Sequence, residues 1–297
     1  MQSLLKTAPA KINLGLEVLV RRPDGFHEIN TVFLPVAGLY DTLEFSPASE
    51  IQLECTPDLG IRPSENLVYR AALLLKDYAE RNDLFKNLLK DPNKSNQTGA
   101  KIRVRKHIPS GAGLGGGSSD AATTLLALKE LWELPVSDYE LHSLATMLGS
   151  DVPFFLKGKA AVGRGRGEKL EYFDMALPYW LVVIHPNIHV NTGEAYSALQ
   201  RSNISKEQTD FKTILMESFL QPELLKESIV NDFEDVVFKK HPEIGVLKEN
   251  LYKNGAVFAL MSGSGSSVFG LFKSRNEAVK ATEFFKNYQT FLSEPQP

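Results

Sequence analysis

The clearest chemical signal in this chain is a cluster of glycine and serine at residues 109–120, which reads Pro-Ser-Gly-Ala-Gly-Leu-Gly-Gly-Gly-Ser-Ser-Asp. Closely spaced glycines lower the steric cost of turning several backbone N–H groups towards one anion. An apolar helical pattern follows directly, and the N-terminus of a helix carries partial positive charge that attracts phosphate. A flexible linker is the alternative, but linkers are not normally flanked by a strand pattern and an amphipathic helix. We therefore predict a phosphate-binding loop.

Two familiar glycine motifs fit this loop poorly. Three of its glycines match G-x-G-x-x-G, yet a dinucleotide-binding fold also needs an acidic residue at the end of the next strand, about 20 residues further on. The candidate is Asp138, and the capping-box spacing of Ser137 and Glu140 predicts that Asp138 opens a helix instead. A Walker A loop ends in Gly-Lys-Ser/Thr, whereas this loop ends in Gly117-Ser118-Ser119 without a lysine. Residues outside the loop must therefore neutralise the phosphates.

Several isolated residues have side chains that could also take part in chemistry. Lys11 and Asn13 alternate within the first strand pattern, so they share one face of that strand, although a solvated lysine is the ordinary alternative. Phe26 and His27 stand at the entrance of the next strand, where simple packing and ligand binding both remain open. Asp151 precedes a Val-Pro pair, which leaves a helix N-cap and a reactive carboxylate as alternatives.

Two further glycine clusters lie later in the chain. Residues 163–168 read Gly-Arg-Gly-Arg-Gly-Glu, for which we predict a hairpin or tight turn, with Arg164 and Arg166 as candidate anion contacts. Residues 262–267 read Ser-Gly-Ser-Gly-Ser-Ser between two strand patterns. A hairpin explains the flanks, but a two-residue turn needs only one glycine pair. The excess of glycine and serine therefore indicates backbone that approaches a ligand.

The hydrophobic periodicity predicts a chain that mixes strands with helices. Strands are predicted at 8–20, 29–36, 41–45, 51–55, 101–106, 180–185, 255–261 and 268–272, and helices from 67, 121, 138, 194, 214, 242 and 276. The polar segment 81–98, broken by a proline, is interpreted as a long mobile insertion. The acidic run Asp232-Phe233-Glu234-Asp235 is interpreted as a solvated face.

Length and composition exclude several classes of protein. A chain of 297 residues with 43% hydrophobic and 23% charged residues is globular, and its length favours two domains. A net charge of -3 gives no polyanion-binding signature, so we expect no nucleic-acid partner. The single cysteine, Cys55, suits a reducing compartment. Without an apolar leader or a run of roughly 20 apolar residues, we expect a soluble, cytoplasmic protein with no membrane partner, as a monomer or homodimer.

Four motifs in sequence carry a resemblance to a known family. They are Pro-Ala-Lys-Ile-Asn-Leu at 9–14, the glycine loop, Leu-Gly-Ser-Asp-Val-Pro-Phe-Phe at 148–155 and Met-Ser-Gly-Ser-Gly-Ser-Ser at 261–267. In this order they resemble the GHMP small-molecule kinase superfamily over nearly the whole chain. Asp-Gly-Phe-His at 24–27 resembles the cytidine-reading segment of the branch that phosphorylates a cytidine diphosphate-linked methylerythritol in non-mevalonate isoprenoid precursor biosynthesis.

The resemblance implies a fold and a reaction. The fold is α+β, with a ribosomal-protein-S5-like N-terminal domain at 1–163 that holds ATP, a ferredoxin-like C-terminal domain at 164–297, and substrate in the cleft between them. The reaction is transfer of the γ-phosphoryl group of ATP to the 2-hydroxyl of the substrate. The resemblance makes Asp151 the base that takes the hydroxyl proton, with Lys11 beside it to favour the ionised carboxylate and steady developing charge.

The resemblance also implies the binding residues. ATP is expected at Asn66, Lys106, Pro109, Gly111, Gly113, Leu114, Gly115, Gly116, Gly117, Ser118 and Ser119, with adenine near the first two. The substrate is expected at Asn13, Phe26, His27, Tyr196, Gly263, Ser264 and Gly265. In this set His27 hydrogen-bonds the cytosine edge, Phe26 and Tyr196 sandwich the ring, and Asn13 helps place the hydroxyl. Relatives often carry tyrosine where Phe26 stands.

The metal and two alternative functions complete the expectations. Mg²⁺ is expected with ATP because its charge offsets the phosphates, and Ser118 or Ser119 is the expected contact, although no glutamate ligand can be located. One alternative is a homoserine or mevalonate-type kinase of the same superfamily. The other is a non-catalytic sensor on the same fold. Lys11 and Asp151 argue against the sensor, and the pair Phe26 and His27 argues against a substrate that lacks a nucleobase.

Overall fold

A computed structural model describes residues 3–90, 97–199, 208–218 and 221–296. Within these ranges the strands are β1 (Leu4–Arg21), β2 (His27–Ala48), β3 (Ile51–Thr56), β4 (Gly99–Arg105), β5 (Ala161–Arg164), β6 (Lys169–Tyr172), β7 (Trp180–His185), β8 (Phe258–Met261), β9 (Val268–Phe272) and β10 (Gln289–Ser293). The helices there are α1 (Leu67–Arg81), α2 (Lys86–Lys90), α3 (Gly116–Leu131), α4 (Asp138–Leu148), α5 (Val152–Phe155), α6 (Thr192–Ala198), α7 (Phe211–Ser218), α8 (Pro222–Ser228), α9 (Glu234–Lys240), α10 (Pro242–Lys253) and α11 (Arg275–Phe284).

The chain forms two compact units whose segments alternate along the sequence. The first unit comprises Met1–Ala10, Tyr40–Ile108 and Gly116–Gly158. The second unit comprises Lys11–Leu39, Pro109–Gly115 and Lys159–Pro297. The domain boundary expected at residue 163 stays a prediction.

The first unit packs helices against a small sheet. Strand β4 pairs antiparallel with the C-terminal half of β2 and parallel with β3. Helix α1 packs against α3, and α3 also contacts α4 and α5. The long helix α3 buries both apolar and small polar residues, among them Leu125, Leu128 and Thr124.

The second unit is built on an antiparallel sheet in the order β10-β7-β9-β8. Helices α9, α10 and α11 pack on it through a core that includes Val182, Leu251 and Phe285. The middle of β1 belongs to this unit, because Leu16 N donates to Val230 O at 2.8 Å and Asp232 N donates to Leu16 O at 2.9 Å. The N-terminal part of β2 pairs with β5, and β5 pairs with β6 as a hairpin.

The structure confirms the mixed α+β architecture, and most predicted elements lie where the periodicity put them. The hairpin predicted at residues 163–168 is confirmed by the pairing of β5 with β6. Strands predicted separately at 29–36 and 41–45 are one long strand, β2, which continues through Gly38 in a left-handed conformation with φ of 77°. The C-terminal helix ends at Phe284, and the residues after it form β10, which pairs with β7 and was not predicted.

Two other interpretations need correction. In the predicted insertion 81–98, Lys86–Lys90 forms a helix, and residues 91–96 lie outside the described residues. The acidic run at 232–235 is not a solvated face. The Asp232 carboxylate accepts a hydrogen bond from Val18 N at 2.9 Å. Glu234 accepts one from Met261 N at 2.8 Å and pairs with Lys248 at 2.5 Å, and burial raises the pKa of the Glu234 carboxyl.

Among the described residues, the structure has no helix long and apolar enough to span a membrane.

Candidate active site

The predicted phosphate loop has the backbone that the glycines were expected to allow. Gly111, Gly113 and Gly115 have φ of 65°, 77° and 72°, all in the left-handed region that side chains disfavour. Helix α3 begins at the next residue, Gly116. A Cβ atom at Gly113 would collide with the carbonyl oxygen of Ser262 and would lie 3.0 Å from that of Gly265. Position 113 therefore accepts only glycine, for reasons of both conformation and space.

Backbone and hydroxyl hydrogen bonds fasten the loop to two other segments of the second unit. The Ser262 hydroxyl donates to Gly113 O at 2.9 Å, and Ser267 N donates to Ala112 O at 3.2 Å. Lys11 N donates to Leu114 O at 2.9 Å. Two glycine clusters that the sequence presents about 150 residues apart thus lie in direct contact, with β1 beside them.

Lys11 and Asn13 lie buried at this junction. Only 3% of Lys11 is exposed, so the alternative of a solvated strand lysine is wrong. Its ammonium group donates to Asn13 Oδ1 at 2.5 Å and lies 5.4 Å from the centre of the Phe33 ring. The Asn13 amide in turn donates to Thr31 Oγ1 at 2.9 Å. The network holds a cation in a fixed place, which is the arrangement needed to meet an anionic ligand without a large reorganisation.

The turn after β8 completes this part of the second unit. Asn13 N donates to Ser262 Oγ at 3.3 Å, and a Cβ atom on Gly263 would lie 3.4 Å from Asn13 Oδ1. Ser264 exchanges a hydrogen bond of 2.8 Å with the hydroxyl of Thr192 at the start of α6. The structure therefore brings Lys11, Asn13, the loop and the predicted substrate residues of the late glycine cluster together.

His27 and Tyr196, which are both expected to contact the cytosine base, have stacked rings. The rings of His27 and Tyr196 lie 5.0 Å apart with an angle of 17° between their planes. Tyr196, on α6, also meets the Phe233 ring edge-on at 4.8 Å. Burial and the nearby charge of Arg21 lower the pKa of His27, which favours the neutral imidazole. Phe26 is 51% exposed.

Asp151 lies in the first unit, at the residue before α5, with φ of −84° and ψ of −14°. It occupies the N-cap position that the Val-Pro pair suggested, but its side chain makes no capping hydrogen bond to the first turn. Capping therefore does not account for an aspartate at this position. Lys11 belongs to the second unit, and the pairing of the two residues stays a prediction.

Asn66 and Lys106, expected near adenine, both have structural partners in the first unit. Asn66 caps α1 by accepting from Val68 N at 2.9 Å, and its amide donates to Cys55 Sγ at 3.6 Å. Gly116 and Gly117 open α3, and a Cβ atom on Gly116 would lie 3.4 Å from the Lys106 ammonium nitrogen. The contact of Asn66 and Lys106 with adenine remains a prediction.

Lys106 is held between two carboxylates that the sequence did not single out. Its ammonium group pairs with Asp41 and, at 2.5 Å, with Asp120 in the first turn of α3. Asp41 is fully buried and also accepts from His107 N and Ile108 N. Burial, opposed by Lys106 and reinforced by Asp41, raises the pKa of Asp120 to about 7. The three groups connect the middle of β2 and the residue that follows β4 to the first turns of α3.

Two buried oxygens at this helix start have no hydrogen-bond partner among the described residues. They are Ser119 Oγ and Asp120 Oδ1, which are adjacent in the sequence. A buried polar atom without a partner is costly, and native proteins usually satisfy it with water, an ion or a ligand. Sequence reasoning identified Ser119 through the glycine loop, whereas nothing in the pattern distinguished Asp120 from a helix-start aspartate.

Comparison with known proteins first identifies the broad class of protein to which this chain belongs. Residues 66–159 match the family model of the GHMP kinases N terminal domain, and residues 215–289 match that of the GHMP kinases C terminal region. Kinases of this family are ATP-dependent phosphotransferases that act on small molecules. A homoserine kinase from Cytophaga hutchinsonii has the same fold, with a TM-score of 0.68 over 100% of this chain and 96% of its own at 18% identity.

Two relatives narrow the class. A 4-diphosphocytidyl-2-C-methyl-D-erythritol kinase from Prosthecochloris aestuarii is 42% identical over 95% of this chain and 94% of its own. A solved structure of a 4-(cytidine 5'-diphospho)-2C-methyl-D-erythritol kinase has a TM-score of 0.79 and 37% identity, over 99% of this chain and 100% of its own. The chain belongs to the GHMP kinases and, within them, to the 4-diphosphocytidyl-2-C-methyl-D-erythritol kinase family. The expected kinase fold is thereby confirmed.

Proposed function

We propose that this chain transfers the γ-phosphoryl group of ATP to the 2-hydroxyl of 4-diphosphocytidyl-2-C-methyl-D-erythritol. The observation that carries the proposal is the junction at which Ser262 holds Gly113 while the buried ammonium group of Lys11 binds Asn13. This junction brings together, in one packed unit, residues from three of the four motifs that carry the resemblance. The chain is also 42% identical to a kinase named for this substrate.

The loop is proposed to hold the donor. Left-handed glycines at 111, 113 and 115 let successive N–H groups turn towards one anion, as in other phosphate-binding nests. The hydrogen bonds of Ala112, Gly113 and Leu114 occupy their carbonyl oxygens with protein donors, so the loop is set before ATP arrives. Such preorganisation lowers the reorganisation needed when charge develops during transfer.

Asp151 is proposed as the general base. An alcohol is a poor nucleophile, and a carboxylate placed against the hydroxyl accepts its proton as the oxygen attacks the γ-phosphorus and the bond from phosphorus to the β,γ-bridging oxygen breaks, which releases ADP. The carboxylate keeps that proton until it returns to solvent. The Lys11 ammonium group is proposed to stabilise the negative charge that builds on the transferring phosphoryl group, and Asn13 to fix where Lys11 points.

Mg²⁺ fits the residues at the start of α3. It prefers oxygen ligands and usually takes one or two from the protein, with phosphates and water supplying the rest. Ser119 Oγ and Asp120 Oδ1 are buried oxygens without a hydrogen-bond partner among the described residues, and they are the proposed ligands. When bound, the ion neutralises phosphate charge. Lys106 keeps the other oxygen of Asp120 in place at 2.5 Å.

The acceptor is proposed to be recognised through its base. His27, held neutral and stacked on Tyr196, has ring nitrogens that can donate and accept on the edge of a pyrimidine. Phe26 supplies an exposed aromatic face beside it.

The test is a substrate panel with one active-site variant. Purified protein with ATP and Mg²⁺ is offered the cytidylylated substrate, mevalonate or homoserine. We expect turnover of the first, and Asp151→Asn should lower kcat by about 10²- to 10⁴-fold, the usual contribution of a general base. Asp138→Asn, at an exposed aspartate that opens α4, is the matched control.

Each contrary result points to a different error. Turnover of mevalonate or homoserine instead would identify another kinase of the superfamily. Binding of ATP and the cytidine substrate without any turnover would identify a sensor. Full activity of Asp151→Asn would remove Asp151 from the role of base.

A further inference from the structure

The turn that carries Phe26 is cross-braced by its own side chains. Arg22 N donates to Phe26 O at 2.7 Å, and Phe26 N donates to Asp24 Oδ1 at 3.1 Å. The Arg22 guanidinium pairs with Asp24 at 3.1 Å and with Glu28 at 2.9 Å. The backbone of Phe26 is therefore fixed on both sides, while its side chain remains half exposed.

A second turn, between β5 and β6, is attached to the first. Gly165 N donates to Glu28 Oε1 at 2.8 Å, and Ile29 N donates to Gly165 O at 2.7 Å. Arg166 N donates to Glu168 Oε2 at 2.6 Å, which fixes the backbone of Arg166. Glu28 thus links the Phe26 turn to the turn that carries Arg166.

The side chains of the two turns meet in a cation–π contact. The guanidinium carbon of Arg166 lies 4.7 Å from the centre of the Phe26 ring. A guanidinium over an aromatic face within about 6 Å is attracted by the ring quadrupole. Arg164, two residues earlier on the same hairpin, is engaged differently, because it pairs with Glu171 at 3.2 Å. The two arginines that the sequence offered as anion contacts therefore have distinct surroundings.

We infer that Arg166 is a positioning residue for substrate binding, acting through the Phe26 ring. An exposed phenylalanine loses side-chain freedom when a ligand stacks on it, and that loss weakens binding. The contact with Arg166 orders the ring beforehand, so that the pyrimidine of a nucleoside diphosphate-linked substrate meets a fixed aromatic face. This inference rests on the proposed function, since it concerns the base of that substrate.

The test compares the two arginines in the whole enzyme. Arg166→Met keeps the aliphatic stem but removes the cation, and we expect KM for the cytidylylated substrate to rise about two- to fivefold, the range of an exposed cation–π contact. The value of kcat and the KM for ATP should not change. Arg164→Met should leave all three constants at wild-type values. Equal unfolding midpoints for both variants would show that the hairpin is intact in each.

A double-mutant cycle separates action through Phe26 from direct contact with the substrate. In a Phe26→Leu background, Arg166→Met should change KM no further, because no ring remains to be ordered. Arg166→Lys should give an intermediate KM, since lysine keeps the charge but not the planar group. An undiminished effect in the Phe26→Leu background, a change in kcat, or a wild-type KM for Arg166→Met would each overturn the inference.

Failure of the proposed function would look different. In that case wild type itself would not turn over the cytidylylated substrate. A wild type that turns over this substrate, together with an Arg166→Met variant of unchanged KM, would retain the function and reject only the role of Arg166.

Discussion

Ser262 and Gly113, 149 residues apart in sequence, are joined by a hydrogen bond of 2.9 Å from the serine hydroxyl to the glycine carbonyl. The glycine has no room for a side chain on the face that Ser262 covers. The conformation of the glycine loop is therefore set by a residue distant in sequence as well as by its own composition.

Gly113→Ala should impair the loop more than an equivalent substitution elsewhere. The new methyl group meets the Ser262 carbonyl and also forces a left-handed alanine, which alone costs about 1–2 kcal/mol. We expect kcat/KM for ATP to fall by at least about tenfold, because the loop is proposed to position the phosphates. Gly38→Ala is the matched control, since Gly38 has the same φ of 77° with no atom within 4 Å of an added Cβ. Equal losses in both variants would contradict the steric argument.

Lys106→Met should destabilise the protein strongly. The substitution leaves Asp41 and Asp120 buried without their cation, and breaking such a network typically costs about 3–5 kcal/mol. Urea unfolding followed by circular dichroism measures the change. Lys6→Met removes a partly exposed ion pair with Glu130 in the same unit and should cost less than about 1 kcal/mol. If Lys106→Met lowered the free energy of unfolding by as little as Lys6→Met, the carboxylates of Asp41 and Asp120 would have other partners that compensate for the lost cation.

Tyr196→Leu should weaken binding of the acceptor and leave the donor unaffected. The change removes the ring that stacks on His27 at 5.0 Å. An aromatic pair contributes about 0.5–1.5 kcal/mol beyond its buried area, so KM for the cytidylylated substrate should rise about two- to tenfold. Steady-state kinetics with each substrate varied in turn give both KM values. Tyr196→Phe keeps the stack and should restore a low KM; if it behaves like the leucine variant, the hydroxyl matters and the stack does not.

Glu140→Gln should reduce the loss of stability in acid. Hydrogen bonds from Ser137, and then from Tyr78, lower the pKa of the Glu140 carboxyl from 4.5 to about 2. Because the folded pKa lies below the unfolded one, the ionised group stabilises the fold above pH 4.5, and this contribution disappears as the pH falls towards 2. Thermal unfolding across this range should show a shallower decline for the variant. Glu283→Gln, at an exposed glutamate of α11, should keep the wild-type decline.

Local signals predicted the parts of the site whose conformation is set locally. The glycine loop, the helix that follows it and the shared face of Lys11 and Asn13 all follow from spacing and periodicity. The surroundings of Lys11 and Asn13 could not be predicted, because Lys11 contacts Leu114 and Asn13 contacts Ser262, and both partners are distant in sequence.

The same limit explains the misassigned segments. Asp41 and Asp120 look like an ordinary strand residue and an ordinary helix-start residue, and only folding places both on Lys106. Glu234 looked solvated because its partner, Lys248, lies on the next helix and its backbone donor, Met261, on β8. Strand β10 is short and lies at the edge of its sheet, where pairing with β7 decides its structure.

The attachment of β1 to residues 230–232 has a consequence for how the chain is made. Val18 N donates to the Asp232 carboxylate across 214 residues, and Leu16 hydrogen-bonds on both sides of Asn231. Synthesis proceeds from the N-terminus, and contacts this distant form slowly. The apolar middle of β1 must therefore wait, without these final neighbours, until the residues up to Asp232 have been translated.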